Sequence, residues 1–173
     1  DCVLVGSWFI KFNGNRYKKC KLPTNCRYLS TILLLHNTFA HPTIMGYSNI
    51  FKKLKYREYY EDAEDYDLII RFSKYGKIVN IPKYLLYYRI HNNSISIVQK
   101  KSQIHSSNLI RLNLLKEIGI VPNEYEKNIH LNMLCDLHKP ISFCPIQLIR
   151  WIFKIIDANK KYKKYPDVYL KFI

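Results

Sequence analysis

The sequence has no long uncharged apolar run, no glycine- or serine-rich linker and no internal repeat. Its longest apolar stretches, around residues 32–35 and 146–156, are too short or are interrupted by Arg150 and Lys154, which argues against a membrane-spanning helix. No order of charged, apolar and small residues near the start reads as a signal peptide. Cys2, Cys20, Cys26, Cys135 and Cys144 contain no Cys-x-x-Cys spacing and form an odd set. Reduced thiols in a cytoplasmic protein are therefore expected, rather than a disulfide framework or a zinc centre. The six histidines give no His-x-x-x-His pair, and His36 and His41 are separated by a segment with Phe39 that runs into Pro42. Acidic residues are scarce: 13 Asp and Glu stand against 28 Lys and Arg, a net charge of +15.

With 173 residues, 48% of them hydrophobic, the chain can build one domain or half of a larger one and is not mainly disordered. Its charge has two readings. A basic chain is drawn to nucleic acid, anionic lipid or phosphorylated ligands. Alternatively, abundant Lys, Ile, Asn and Tyr reflect an AT-rich genome. The basic residues are spread along the chain, which suits the second reading. Lys160-Lys161-Tyr162-Lys163-Lys164 is the exception, as a solvated helix end or a membrane-surface contact.

Residues 2–12, rich in Val, Ile, Phe and Trp, read as a strand, Asn13-Gly14-Asn15 as a turn, and 16–21 as a returning strand. Thr24 suits the N-cap of a helix through Tyr28, Ile32 and Leu35. A short strand is expected at 43–45, and Ser48 as the cap of a brief helix over 50–54. From Asp65 a helix is clearer, with Leu68, Ile69 and Phe72 on one face, acids at its start and Gly76 at its stop. Residues 78–81 read as a strand broken by Pro82, and 84–90 as a second strand. Helices are expected over 96–118, 124–135 and 146–164. The pattern is α/β to about residue 92 and helical beyond.

Glu64-Asp65 could supply a general base whose affinity for the proton is set by burial and by the neighbouring charge. A helix-capping pair is the plainer reading of the same residues. The ordered set around them says more. Phe39-Ala40-His41-Pro42-Thr43-Ile44-Met45, then Ala63-Glu64-Asp65-Tyr66-Asp67-Leu68, Gly76-Lys77-Ile78, Ile81-Pro82 and Leu85-Leu86-Tyr87-Tyr88-Arg89-Ile90-His91 resemble, in that order, family 2 glycosyltransferases of the GT-A type. The opening Val3-Leu4-Val5-Gly6-Ser7-Trp8 is similar to the strand after the donor-binding region. The resemblance covers residues 1 to about 95 and extends more loosely through the helices, where Trp151 and Asn159 lie.

The resemblance implies the C-terminal half of a GT-A, Rossmann-like glycosyltransferase domain (residues 1–95) followed by a helical extension (96–173). It implies a single inverting displacement at the anomeric carbon of a nucleotide-sugar donor by a glycan or lipid-linked acceptor. Asp65 matches the family's base, and Glu64 would orient the acceptor. His91 would touch a divalent metal, Mn or Mg, or the diphosphate. Arg89 would pair with a phosphate or with an acid across the sheet, and Arg71 with a carboxylate. Asn37 and His41 match a segment lining the cleft, Asn37 being the more turn-like. The family's usual work further implies cytoplasmic surface-polysaccharide synthesis at the inner membrane face, with no nucleic-acid partner.

Two departures stand out. The only Asp-x-Asp, Asp65-Tyr66-Asp67, belongs to the later acidic motif and is not the family's metal motif. Its Gly-Gly turn is replaced by Leu54-Lys55. Because the chain opens at Asp1 without the nucleotide-binding units, it is expected to be the C-terminal part of a longer enzyme. A basic nucleic-acid- or membrane-binding module and an inactive remnant are the competing readings.

Overall fold

The computed structural model describes residues 1–91, 94, 98–133 and 144–166. The chain divides into two compact units: Asp1–Ser30 with Asn37–Ser107, and Thr31–His36 with the described residues from Asn108 onward.

The first unit is built on a mixed four-stranded sheet. Its centre is β1 (Cys2–Asn13). Antiparallel β2 (Arg16–Cys20) pairs with the second half of β1, and the two-residue β3 (Met45–Gly46) pairs with Leu4 and Val5. On the other side β4 (Lys77–Arg89) runs parallel to β1 along nearly its whole length. The α/β class expected from the sequence is present, as a mixed sheet with six described α-helices.

Helices α1 (Cys26–Ile32), α2 (Ser48–Leu54) and α3 (Glu64–Phe72) follow the expected positions with altered ends. The side chain that bonds the first turn of α1 is Asn25, accepting from the Arg27 amide, rather than Thr24. Ser48 lies inside α2, whose N-cap is Tyr47. The strand expected at 43–45 is instead a 3₁₀ turn, His41–Thr43, followed by the short β3. Pro42 explains the turn: it cannot donate to a sheet ladder and suits the start of a helical turn.

Gly76 does not end α3, which stops at Phe72 with Ser73 as its cap. Its role is close approach to β1, because a Cβ there would lie 2.7 Å from a Val3 methyl and 2.9 Å from the Asp1 carbonyl oxygen. Nor does Pro82 divide β4. The strand passes through it, and the register slips there: Ser7 faces Ile81, Trp8 faces Tyr84 and Phe9 faces Leu86. A proline that cannot donate is tolerated at such a bulge.

The core of this unit lies where α3 packs on β1. Leu68, Ile69 and Phe72, the expected apolar face, are buried with Leu4 and Ile78, and Phe72 meets the Phe51 ring at 4.6 Å between centroids. Arg71, on the same helix, is also buried. Its Nε donates to Asp67 Oδ2 at 2.8 Å, Nη1 to the Leu54 carbonyl at 2.5 Å and Nη2 to the Lys55 carbonyl at 2.6 Å. Lys55 adopts φ 51° and ψ 164°, a region glycine favours and other residues avoid. The turn at Leu54-Lys55, where the resemblance implies a Gly-Gly pair, is made here by a strained lysine clamped through its carbonyl.

The second unit is helical, containing α5 (Glu124–Asn132) and α6 (Pro145–Tyr162). The long α4 (Lys100–Lys116) belongs in part to each unit. The helix start expected at position 96 and the helix end expected at position 135 lie outside the described residues. Gly119, at φ 74°, supplies the turn after α4. Asn123 caps α5 with a full capping box to Glu126. His130 is buried and accepts from the Trp151 indole at 3.3 Å. Burial, with Arg111 beside it, lowers its pKa to about 4, so the ring is neutral at physiological pH. Asn159, also buried, holds the chain after α6 by accepting from the Tyr165 amide at 2.8 Å and donating to its carbonyl at 2.7 Å. Cys2, Cys20, Cys26 and Cys144 are free thiols, and Cys135 lies outside the described residues.

Lys55→Gly is expected to raise the free energy of unfolding by about 1 kcal/mol by relieving the strained backbone. Arg71→Met, which leaves Asp67 and two carbonyls without their donor, should lower it by roughly 3–5 kcal/mol. Urea denaturation of both variants checks the pair.

Candidate functional site

A cleft of about 950 Å³ opens in the first unit beside the N-terminus of α3. Glu64 and Asp65 line it from the helix, His41 and Pro42 from the 3₁₀ turn, and Tyr56 and Arg57 from the segment after α2. Tyr88 of β4 and Gln103 of α4 complete it, with Glu58, Glu61 and Asp62 between.

Each wall has a physical anchor. Asn80, buried on β4, donates through its amide to the Thr38 and Pro23 carbonyls, both at 2.9 Å. The Ser7 amide donates to Thr43 Oγ1 at 3.1 Å. These bonds tie both ends of the 38–43 segment to the first unit's framework. The Arg71 clamp holds the chain at Leu54 and Lys55, immediately before Tyr56. Asp62 turns at φ 64°, and its carbonyl accepts from Gln103 Nε2 at 3.0 Å.

Asp65 is not the cap of α3. That position is Ala63, with no side-chain bond. The carboxylate sits in the first turn, where the helix dipole favours it. Its Oδ1 accepts from the Tyr66 amide at 2.7 Å and its Oδ2 from Asn37 Nδ2 at 3.2 Å. Asn37 is thus both turn-forming, since its own oxygen accepts from the Phe39 amide at 3.0 Å, and the residue that orients Asp65. Burial raises the Asp65 pKa above its ordinary value, and the Glu64 charge adds to this. The His41 charge and the two hydrogen bonds act the other way.

Tyr56 accompanies this pair. Its hydroxyl is 2.9 Å from His41 Nε2, with the two rings edge to face. Desolvation, then the charges of Asp65 and Glu64, hold its hydroxyl proton on to higher pH than usual. The site is therefore a carboxylate with raised proton affinity, fixed at both oxygens and flanked by a His–Tyr pair. Such a group can accept a proton from a hydroxyl brought into the cleft.

Of the residues singled out from sequence, the structure brings together Asn37, His41, Glu64 and Asp65. Arg89 and His91 do not line the cleft. Arg89 is exposed, with its guanidinium over the Phe12 ring at 5.7 Å, and makes no ion pair among the described residues, so the expected cross-sheet acid is not its partner. Neighbouring strand residues face opposite sides, which is why Tyr88 reaches the cleft and Arg89 turns away. His91 is exposed, and its amide donates to Ser94 Oγ at 3.0 Å. Among the described residues no three His, Cys, Asp or Glu side chains are placed to hold a metal. Arg71 pairs with a carboxylate as expected, that of Asp67. This leaves Asp65-Tyr66-Asp67 split between a cleft residue and a buried structural one.

Sequence reasoning missed Tyr56, Arg57 and Gln103. Nothing local marks them, because the run 56–62 has no helical or strand period and Gln103 reaches the site from a distant helix.

The chain is 37% identical over 99 residues to the O-antigen biosynthesis glycosyltransferase WbnJ of Escherichia coli, covering 54% of this chain and 38% of that protein. It is 36% identical over 108 residues to an uncharacterized glycosyltransferase of Methanocaldococcus jannaschii, covering 58% and 37%. It is 29% identical over 126 residues to an uncharacterized glycosyltransferase of Haemophilus influenzae, covering 69% and 38%. It is similar to proteins named glycosyltransferases. The chain spans little more than a third of the length of these curated relatives. No family model and no solved structure matches.

The raised Asp65 pKa has a definite sign for stability. The folded chain binds this proton more tightly than the unfolded one, so stability falls as pH rises through the folded-state value. Asp65→Asn removes that loss. Its stability relative to the parent is expected to grow as pH rises from about 4 toward neutrality. Thermal unfolding of both proteins across that range measures it, and a constant offset would contradict the assignment. Asn37→Ala, which removes a bond favouring the charged form, should raise the Asp65 titration further in carboxylate NMR.

Proposed function

We propose that this chain is the acceptor-side part of an inverting, family 2, GT-A-type glycosyltransferase, with Asp65 as its general base. The observation that carries the reading is the Asp65 carboxylate: half-buried, fixed by Asn37 and the Tyr66 amide, and open to a cleft. Similarity to three proteins named glycosyltransferases supports the same reaction class.

In this reading an acceptor hydroxyl enters beside Asp65. As its oxygen attacks the anomeric carbon of the nucleotide sugar, its proton passes to the carboxylate. The new C–O bond forms while the bond from the anomeric carbon to the diphosphate oxygen breaks, and the nucleoside diphosphate leaves with the electron pair. Burial makes Asp65 a stronger base than a solvated aspartate, and its two hydrogen bonds keep it aimed. Glu64 and the His41–Tyr56 pair line the place where the acceptor ring would sit.

A divalent metal, Mn or Mg, belongs to the family's chemistry. The residues present do not by themselves fit one, since no three His, Cys, Asp or Glu side chains among the described residues are placed to hold it. No step is assigned to it, and Arg89 and His91 are left without a part in the acceptor chemistry. The name of the Escherichia coli relative places that protein in O-antigen biosynthesis. By analogy the acceptor proposed here is a glycan or lipid-linked saccharide of surface polysaccharide synthesis in the cytoplasm.

In the enzyme with its donor-binding half, Asp65→Asn is expected to reduce transfer by about 10²–10⁴-fold. Binding of the nucleotide sugar should be nearly unchanged. Single-turnover transfer alongside calorimetric donor binding tests this, and a fully active variant would remove Asp65 from the reaction.

A further inference from the structure

Helix α6 carries two apolar faces of different kinds. Trp151, Ile155 and Ile156 are buried. Ile146, Ile149 and Phe153 are instead 59%, 51% and 60% exposed. Their spacing of three and four residues places them on one stripe. Single exposed apolar residues are ordinary, but a row on the outer side of a helix that already buries another face is not what core packing requires. Val121, 80% exposed, continues the row, for it lines the same shallow groove as Phe153, Arg150 and Lys154.

The charges beside the stripe indicate its occupant. Lys154 is bonded to Glu126, Lys160 to Asp157, and Lys164 to Glu117. Arg150, Lys161 and Lys163 have no acidic partner among the described residues. A second copy of a chain with net charge +15 would bring more positive charge to the contact. An anionic bilayer brings the opposite sign, and long basic side chains can keep their heads at the phosphates while their stems follow the apolar stripe.

We propose that α6 lies flat on an anionic lipid surface, with Ile146, Ile149 and Phe153 below the headgroups and Arg150, Lys161 and Lys163 against the phosphates. The helix lies on the bilayer and does not cross it: among the described residues no helix is long and apolar enough to span a membrane. This inference is independent of the transferase reading, because none of these residues lines the Asp65 cleft.

Co-sedimentation of the full chain with vesicles tests it. Binding is expected to phosphatidylcholine vesicles containing phosphatidylglycerol, weakened by salt, and to be much weaker with phosphatidylcholine alone. Ile149→Ser with Phe153→Ser should lower the partition coefficient by about tenfold or more. Arg150→Glu with Lys161→Glu should lower it by roughly tenfold on the anionic vesicles only. Circular dichroism of both variants verifies that they fold. No vesicle binding, equal binding to neutral vesicles, or undiminished binding by the folded Ser variant would overturn the proposal. So would self-association of the parent chain that the Ser variant abolishes in place of vesicle binding.

Discussion

The guanidinium of Arg71 is the constraint on which the first unit's site depends. It is buried, fixed to Asp67 one turn earlier on its own helix, and its two remaining donor arms close on the Leu54 and Lys55 carbonyls. Arg57 reaches the other Asp67 oxygen at 3.6 Å. One buried cation thus binds the exit of α2 to the body of α3. Tyr56, which follows the clamped turn, and Asp65, at the start of the clamping helix, both line the cleft. Planarity and directional donors make arginine suited to such a junction, where a lysine would supply a point charge without the fork. The backbone strain at Lys55 persists because these bonds over-determine the turn.

Asp65 illustrates opposed electrostatic influences at one atom pair. Desolvation and Glu64 favour its protonated form, while His41, the Tyr66 amide and Asn37 favour the carboxylate. Desolvation prevails, yet the hydrogen bonds survive as orienting contacts. A base for hydroxyl activation benefits from this balance: it must retain affinity for a proton without losing its direction. Placing it on the first turn of a helix whose far side is packed on β1 gives that direction a rigid backing.

Much of this was legible in the sequence because it is periodic or punctuated. β1, its Asn13-Gly14 turn, the apolar face of α3 and the three later helices follow from alternation, helical spacing and turn chemistry. The pairing of Arg71 with a carboxylate comes instead from the resemblance. The errors fall where long-range packing overrides local signals. Gly76 has the local look of a helix stop and is a contact with β1; Pro82 has that of a break and is absorbed by a bulge; residues 43–45 have that of a strand and begin in a 3₁₀ turn. At the site, Asn37, His41, Glu64 and Asp65 were marked by their order along the chain. Tyr56, Arg57 and Gln103 were not, since their positions depend on the Arg71 clamp and on the Asp62 carbonyl, which no local pattern reveals.

The slipped register between β1 and β4 carries a consequence for how such a chain can vary. Between Ser7 and Phe9 on one strand and Ile81 and Leu86 on the other, β4 holds three more residues than β1, five steps against two. Side chains alternate along a strand, so an odd surplus sets the phase of everything beyond it. Deleting one residue there would exchange Tyr88 for Tyr87 or Arg89 at the cleft wall while leaving the composition almost untouched. A change of length here differs in kind from one in a surface loop, because it can move side chains from one face of the sheet to the other.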